Sequence, residues 1–278
     1  MFYTGPLRES DVIPAQKFCS ILSDPYFLTK LYRPMLTIPP AYTPISRLVS
    51  DLQTQGYAVL PPADVCTLIR CELAELQSLA PSWSNLPQDH YLKDSGNYRQ
   101  RRHSCFIIDA TKVEQTPHRS HWQPLEYNAL HGGLRRMFEP ITQEFIDQPV
   151  WSRLLQATGN LFSQVKGQQV WFVEAHQFRI DTHSGIGRPT PEGAHRDGVD
   201  FVAILLINRI NIKGGESRIF DAAGSNGKRF TLIEPWTLLL LDDERVIHEA
   251  TPIQPTGENG HRDTLVLTYR RGGFQEGP

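Results

Sequence analysis

Short apolar strands separated by glycine-rich turns fill the second half of this 278-residue chain, and they constrain its fold more than any other feature. From residue 170 onward, apolar residues alternate with polar ones or form short runs, which is typical of β-strands. Turn signals such as Gly214-Gly215 and Asn226-Gly227 separate the strands. The candidates are WFVEAHQFRI, FVAILLINR, ESRIF, FTLIE, TLLLLDD, VIHEATPI and DTLVLTYR. This number of short strands predicts an antiparallel sandwich or jelly roll.

The first half of the chain predicts helices that pack on one of the sheets. An amphipathic pattern over Ile45–Gly56 ends at a glycine, and a short strand, Tyr57–Leu60, follows it. Apolar residues then recur at intervals of three and four over residues 65–80, which predicts one helix. Residues 125–158 also predict a mostly helical segment. We therefore expect a mainly β fold with flanking helices.

Prolines are frequent in the first 45 residues, with only short apolar patches between them. We predict that residues 1–45 wrap the surface or cover a site rather than form a core. Residues 46–278 are predicted to form a single jelly-roll domain, because β-sandwich and barrel domains of more than about 200 residues commonly do not split.

Charge and cysteine usage narrow the classes of partner. The formal net charge is −2 and no long Lys/Arg run is present, which argues against a nucleic-acid partner and favours a small molecule. The longest apolar run is too short to cross a bilayer, and the start lacks the pattern of a secretion signal. Four cysteines without a CxxC pair are expected to be free thiols, so we expect a cytoplasmic protein.

Two histidines and an aspartate have the spacing of a metal site. His195 and Asp197 lie two residues apart, so on an extended segment both side chains point the same way. His248 follows about fifty residues later, after an apolar strand. Two imidazoles and one carboxylate are the ligand set of non-haem Fe(II) oxygenases, and they leave positions open for O2 and a co-substrate. Taken singly, the tripeptide His195-Arg196-Asp197 is a weak motif, and His248 lies among apolar neighbours as a core histidine would.

Arg262 and Thr264 follow His248 at a distance that a hairpin would cover. A guanidinium group offers two parallel donors to a carboxylate, and a threonine two residues along the same strand face can add a hydroxyl donor. These residues predict a site for a dicarboxylate co-substrate such as 2-oxoglutarate. The alternative for Arg262 is an exposed ion pair with Asp263 or Glu258.

Several segments together resemble a known family. PEGAHRDGVDFVAILLINRINIKGGESRIFD, LLLLDDERVIHEATPI and RDTLVLTYR, with YRQRRHSCF and HQFRI upstream, resemble the Fe(II)- and 2-oxoglutarate-dependent dioxygenases that hydroxylate free L-amino acids, the isoleucine dioxygenase group. The resemblance covers roughly Asp51 to Arg270. It implies a double-stranded β-helix (cupin-like) fold, His195, Asp197 and His248 as iron ligands, and Arg262 as partner of the far carboxylate of 2-oxoglutarate.

The substrate residues are predicted from strand placement. Arg102 lies on the basic strand that leads into Ser104–Ile108, and His176 lies on the strand before the metal loop. Arg188 and Glu192 lie in the glycine- and proline-containing loop. An amino acid needs a cation for its carboxylate and an anion for its ammonium group, and Arg102 and Glu192 can supply them. The alternatives are a solvated face for the arginines and a hydrogen-bonded strand histidine for His176.

These features predict an enzyme that uses Fe(II), 2-oxoglutarate and O2 to oxidise a small molecule, with a free L-amino acid or derivative as the expected substrate. The outcome is hydroxylation, or else desaturation or cyclisation. Two alternatives remain from the sequence. One is a jelly-roll metalloenzyme with the same ligands that does not use 2-oxoglutarate, and the other is a non-catalytic jelly-roll binding module.

Overall fold

The computed structural model describes residues 37–93, 96–128, 130 and 132–277. Contacts divide the chain into two units, Met1–Thr37 and Ile38–Pro278, and every described helix and strand lies in the second unit. Most of the segment predicted to wrap the surface, residues 1–45, lies outside the described residues. Its boundary with a single domain at 46–278 stays a prediction.

Antiparallel strands dominate the second unit, as predicted. They form a seven-stranded sheet with the order β1-β9-β5-β12-β4-β2-β3, a three-stranded sheet β10-β7-β8, and a pair β11-β6. The strands are β1 (Tyr57–Leu60), β2 (Arg99–Ile108), β3 (Val113–Gln115), β4 (Trp171–Asp181), β5 (Phe201–Ile210), β6 (Ile212–Gly214), β7 (Ser217–Asp221), β8 (Gly227–Phe230), β9 (Leu238–Asp242), β10 (Val246–Ala250), β11 (Ile253–Pro255) and β12 (His261–Arg270).

The described helices pack on one face of the seven-stranded sheet, as the sequence predicts. The largest is α5, an amphipathic helix that buries one side against Trp171, Phe201 and Tyr269. The α-helices are α1 (Leu48–Gln55), α2 (Pro62–Ile69), α3 (Leu73–Gln77), α4 (Gln143–Ile146) and α5 (Pro149–Lys166), and short 3-10 helices cover Ile45–Arg47 and Ala80–Asn85. None of these described helices is long and apolar enough to span a membrane.

The central strands are apolar on both faces because each face covers a different core. On β9, Leu238 and Leu240 face the helices, whereas Leu239 and Leu241 face the interior between the sheets. A strand buried on both sides reads as a continuous apolar run, which explains the sequence LLLL. On β12, Leu265, Leu267 and Tyr269 pack on the helix side, whereas Arg262 and Thr264 line a cavity on the interior side.

Three details of the secondary structure differ from the prediction. The helix predicted over 65–80 is broken, because Arg70 adopts a left-handed conformation and Glu72 starts a new helix with a reciprocal capping box to Glu75. The mostly helical segment predicted over 125–158 is helical only from Gln143 onward among its described residues, and FTLIE is not a strand beyond Phe230.

The predicted free thiols are confirmed for Cys66, Cys71 and Cys105, while Cys19 lies outside the described residues.

Candidate metal centre and its cavity

The two predicted histidine ligands lie side by side at the edge of the cavity. His195 is in the turn before β5, and His248 is in the middle of β10. Their backbones pair through reciprocal hydrogen bonds of 3.0 and 2.9 Å, and their ring centroids are 4.7 Å apart. The fold therefore brings together two residues that are about fifty positions apart in the sequence.

Asp197 completes a three-residue group that can hold a metal ion. Its Oδ1 atom lies 3.8 Å from His195 Nε2, and its Oδ2 atom lies 3.6 Å from His248 Nε2. His195 Nδ1 lies 2.9 Å from the carbonyl oxygen of Gly193, so this nitrogen carries the proton and Nε2 keeps its lone pair. The donor set fits Fe(II), because it joins two imidazoles and one carboxylate around one point.

Burial and charge act on these three groups in different directions. Burial and the neighbouring His195 lower the pKa of His248 to about 3, so its imidazole is neutral. Burial also lowers the pKa of His195, but the carboxylates of Asp197 and Glu192 outweigh burial and the net direction is upward. Burial raises the pKa of Asp197. A buried carboxylate in this position favours a cationic partner such as a metal ion.

The turn that carries His195 and Asp197 is held by a buried carboxylate that sequence reasoning did not select for the site. Asp243, which is fully buried, accepts hydrogen bonds from the backbone N–H groups of Asp197, Gly198 and Val199 at 3.0, 2.8 and 3.1 Å. Gly198 has φ +74°, and a Cβ atom there would lie 2.3 Å from Tyr127.

Arg262 and Thr264 face the cavity, where the sequence places the 2-oxoglutarate site. Arg262 is 5% exposed, and no described residue accepts a hydrogen bond from its Nε atom. Burial and the nearby Arg209 lower the pKa of Arg262 to about 10. Its neighbour Asp263 is not its partner, because Asp263 pairs with Arg179 at 2.7 and 2.8 Å. Arg262 is thus a buried cation with donor capacity to spare for a carboxylate.

Two of the four predicted substrate residues line the cavity and two do not. His176 is a buried cavity residue, and Glu192 lies with Oε1 at 3.5 Å from His195 Nε2. Arg188 is exposed and does not line the cavity. Arg102 points to the opposite face of β2, where it donates to the carbonyl oxygens of Pro140 and Asn85. The prediction for Arg102 is therefore corrected, because residues alternate between the two faces of a strand.

Three other arginines occupy the cavity wall where Arg102 was expected. Arg99 and Arg101 lie on the inner face of β2, and Arg136 lies on the loop that follows His121. Arg101 is stacked between Phe138 and Phe178, with its Cζ atom 3.7 and 4.5 Å from the ring centroids. The sequence signal was the spacing of Arg99 and Arg101, which puts both on one face of a strand.

A buried cluster of three histidines surrounds Glu174 beside this wall. The Glu174 Oε2 atom accepts hydrogen bonds from His103 Nε2 at 2.8 Å and His121 Nδ1 at 2.6 Å, and His176 Nε2 lies 3.9 Å away. Arg101 Nη2 donates to His176 Nδ1 at 2.7 Å. Because a guanidinium group cannot accept, the proton of His176 must be on Nε2, directed toward Glu174.

The tautomer of His176 decides the chemistry of this cluster. The nitrogen and carboxylate oxygen atoms of His103, His121, Glu174 and His176 lie close enough together to hold a metal ion. However, the nitrogen of His176 that faces Glu174 already carries a proton. Burial lowers the pKa of all three histidines, to about 4 for His121, so the imidazoles are neutral N–H donors. Burial raises the pKa of Glu174, but the histidines outweigh it and hold this pKa well below its usual range. The cluster is centred on a carboxylate anion.

The sequence model of the 2OG-Fe dioxygenase family matches residues 80–268, so the chain belongs to this family. It is therefore an Fe(II)- and 2-oxoglutarate-dependent dioxygenase, and its fold is the jelly roll of that family. Its cofactors are Fe(II), 2-oxoglutarate and O2. This assignment replaces the alternatives of a metalloenzyme without 2-oxoglutarate and of a non-catalytic module.

The more specific relatives are an amino-acid hydroxylase and two solved structures. L-isoleucine-4-hydroxylase from Bacillus thuringiensis is 24% identical over 193 residues, which cover 66% of this chain and 78% of the relative. The crystal structure of a bsmA homologue from Methylobium petroleophilum PM1 is 51% identical and covers 86% of this chain and 98% of that chain, with a TM-score of 0.81. The crystal structure of IDO from Bacillus thuringiensis is 19% identical and covers 84% and 100%, with a TM-score of 0.67.

Proposed function

We propose that this dioxygenase oxidises a C–H bond of a free L-amino acid or a close derivative, with hydroxylation as the main outcome. The observation that carries the proposal is the shared cavity. The group of His195, Asp197 and His248 opens onto the same cavity as Arg262 and a set of further charged side chains. The similarity to L-isoleucine-4-hydroxylase supports the choice of an amino acid.

In this proposal the residues of the metal group hold Fe(II). His195 and His248 contribute their Nε2 atoms and Asp197 contributes its carboxylate, while Arg262 and Thr264 bind the far carboxylate of 2-oxoglutarate. Gln123 Nε2 donates to Asp197 Oδ1 at 3.2 Å and so fixes the orientation of that carboxylate. Each of these groups is buried or half-buried, which keeps water from the reacting atoms.

When bound, Fe(II), 2-oxoglutarate and O2 supply the oxidising chemistry, in which one oxygen atom enters succinate, the other enters the substrate as a hydroxyl group, and CO2 is released. The protein itself positions the substrate so that one C–H bond faces the metal. We propose that Glu192 binds the ammonium group of the substrate, because its carboxylate lies beside the metal group and is mostly buried. His176, which also lines the cavity, then acts through its hydrogen bond with Arg101.

The ligand assignment is tested with His195→Ala and Asp197→Ala. We expect each variant to lose stoichiometric Fe(II) binding and to lose at least a hundredfold in succinate formation, because two ligands cannot hold the metal in place of three. The measurements are an anaerobic Fe(II) titration and succinate release with a panel of free amino acids. His183→Ala, which removes an exposed histidine outside the cavity, is the matched control. Full turnover by either ligand variant would remove that residue from the site.

A further inference from the structure

A wall of guanidinium groups in the cavity is not accounted for by the metal group or by the 2-oxoglutarate site. Arg99, Arg101 and Arg136 are each at most 6% exposed, and all three line the cavity. Each has a buried N–H group without an acceptor among the described residues, namely Arg99 Nη2, Arg101 Nε and Arg136 Nε. Buried donors of charged groups are rarely left without a partner, so donors of this kind in a cavity indicate a binding site for a ligand.

The acceptors that these arginines do have are shared or neutral. A single Asp89 carboxylate lies 2.7 Å from Arg99 Nε and 3.8 Å from Arg101 Nη1. Arg101 also donates to the neutral His176, and Arg136 Nη2 donates to the amide oxygen of Gln123 at 3.0 Å. Glu174 is committed to the N–H groups of its histidines. The wall therefore has spare hydrogen-bond donors for an anionic ligand.

The sheet register separates this wall from the 2-oxoglutarate site. Arg262 and Arg99 are both paired with Ile180 of β4, one from each side, and Thr264 and Arg101 are both paired with Phe178. The two positions are thus two strands apart, which is about 10 Å between backbones. Ile180 and Phe178, which also line the cavity, lie between the two positions, so we treat these positions as two separate anion sites.

The wall also lies close to the metal group. Gln123 accepts from Arg136 through its amide oxygen and donates to Asp197 through its amide nitrogen, at 3.0 and 3.2 Å. One side-chain amide thus spans the gap between Arg136 and a proposed iron ligand. A ligand whose anionic group binds Arg136 would therefore have the rest of its structure beside the metal, where the reaction takes place.

We propose that Arg101 and Arg136, supported by Arg99, bind the carboxylate of the molecule that is oxidised, so that the substrate is a small carboxylic acid held at its acid end by these guanidinium groups. This inference rests on the proposed function, because it assigns the second anion site to the substrate. Arg101 is preorganised for the role by its stacking between Phe138 and Phe178. For an α-amino acid, Glu192 binds the ammonium group at the metal side of the same cavity.

The test compares carboxylic acids with their uncharged amides. The unfolding temperature of the full-length protein with Fe(II) and 2-oxoglutarate is measured without O2. Each of the L-amino acids that occur in proteins is added in turn, either as the free acid or as its primary carboxamide. We expect at least one acid to raise the unfolding temperature more than its amide does. That difference should disappear in Arg136→Gln and remain in Arg102→Gln, a matched control on the opposite face of β2.

Turnover provides the second measurement. For an acid that is oxidised, we expect Arg136→Gln to raise its KM at least tenfold while the half-saturating 2-oxoglutarate concentration stays within twofold. Arg101→Lys keeps a positive charge in the buried position and is expected to fold even if a neutral substitution does not. It should still raise the KM, because an ammonium group lacks the planar pair of donors.

The outcomes separate this inference from the proposed function. If no acid stabilises the protein more than its amide, or if Arg136→Gln weakens 2-oxoglutarate instead of the acid, the carboxylate site is wrong. If acids bind through Arg136 but no succinate forms with any of them, the carboxylate site stands and the proposed reaction on them is wrong. Succinate formation with equal use of acid and amide would support the reaction and overturn the carboxylate site.

Discussion

At the scale of single residues, the turn that carries two proposed iron ligands depends on one buried side chain. The Asp243 carboxylate accepts from three consecutive backbone N–H groups, and its own backbone oxygen accepts from Arg196 Nε at 2.6 Å. This arrangement fixes the direction of Asp197 while Arg196 is turned away from the metal group. Asp243 is therefore a positioning residue that acts through the turn.

We predict that Asp243→Asn weakens Fe(II) binding about 10- to 100-fold, which is the usual effect of losing a group that orients a metal ligand. An amide has only one acceptor oxygen, and its NH2 group would face backbone donors. An anaerobic Fe(II) titration measures the change, with circular dichroism to show that the variant is folded. Asp242→Asn is the control, because Asp242 pairs instead with Lys166 at 3.2 Å. A folded Asp243→Asn protein with the affinity of the wild type would contradict this role.

At the scale of secondary structure, the sequence predicted which strands exist better than it predicted which face each presents. Apolar runs such as LLLL and VAILL identify strands that are buried on both sides, so the jelly roll could be predicted. β2 differs because its inner face is polar. With arginines at 101 and 102, no hydrophobic alternation shows which one points inward, and Arg102 was selected although Arg101 lines the cavity.

The missed site residues come from contacts that no local pattern encodes. Gln123 and Arg136 lie on a loop that reaches the metal group only after folding, and their roles follow from partners that are distant in sequence. His195, Asp197 and His248 could be selected because their residue types are rare as a set and their spacing suits strands. Chemistry that requires special residues is visible in the sequence, whereas the ordinary polar residues that orient them are not.

The contact between helix α5 and the sheet predicts where this architecture is most sensitive. Phe162 is fully buried and stacks on Phe201, with ring centroids 4.2 Å apart and planes at 4°. We predict that Phe162→Ala lowers the free energy of unfolding by about 3–5 kcal/mol, because it removes apolar contacts and leaves a cavity. Ser152→Ala, on the exposed side of α5, should change it by less than about 0.5 kcal/mol. Urea unfolding measures both values, and equal effects would contradict the proposed packing.

At the scale of the whole molecule, the interior contains many ionisable groups close together. The seven-stranded sheet carries Arg99, Arg101, Glu174 and Arg262 on the face that lines one cavity. Burying charges without partners is costly, so such a cavity is stable only if its groups neutralise each other or a ligand neutralises them. The neutral histidines around Glu174 contribute to this balance only while they remain unprotonated.

The folded protein should therefore become less stable as the pH is lowered through the range in which the histidines of the unfolded chain gain a proton. An unfolded histidine has a pKa of about 6.5. Burial and the charges of Arg101 and Arg136 lower the pKa of His121 to about 4 in the folded state, although Glu174 opposes this. Between these values the unfolded chain binds more protons than the folded one, so stability decreases as pH falls from about 6.5 to 4.

We predict that replacing His121 by Gln makes this decrease shallower, because one of the depressed groups is removed while an amide N–H can still donate to Glu174. Lowering the pKa of His121 from about 6.5 to about 4 corresponds to a loss of about 3 kcal/mol in the free energy of unfolding as the pH falls through this range. The measurement is urea unfolding of metal-free wild-type and His121→Gln protein at several pH values in that range. Protonation of His195, Asp197 and His248 occurs in both proteins and therefore cancels in the comparison. Identical pH dependence in the two proteins would show that His121 is not held neutral by its burial, and the carboxylate-centred description of the cluster around Glu174 would have to be abandoned.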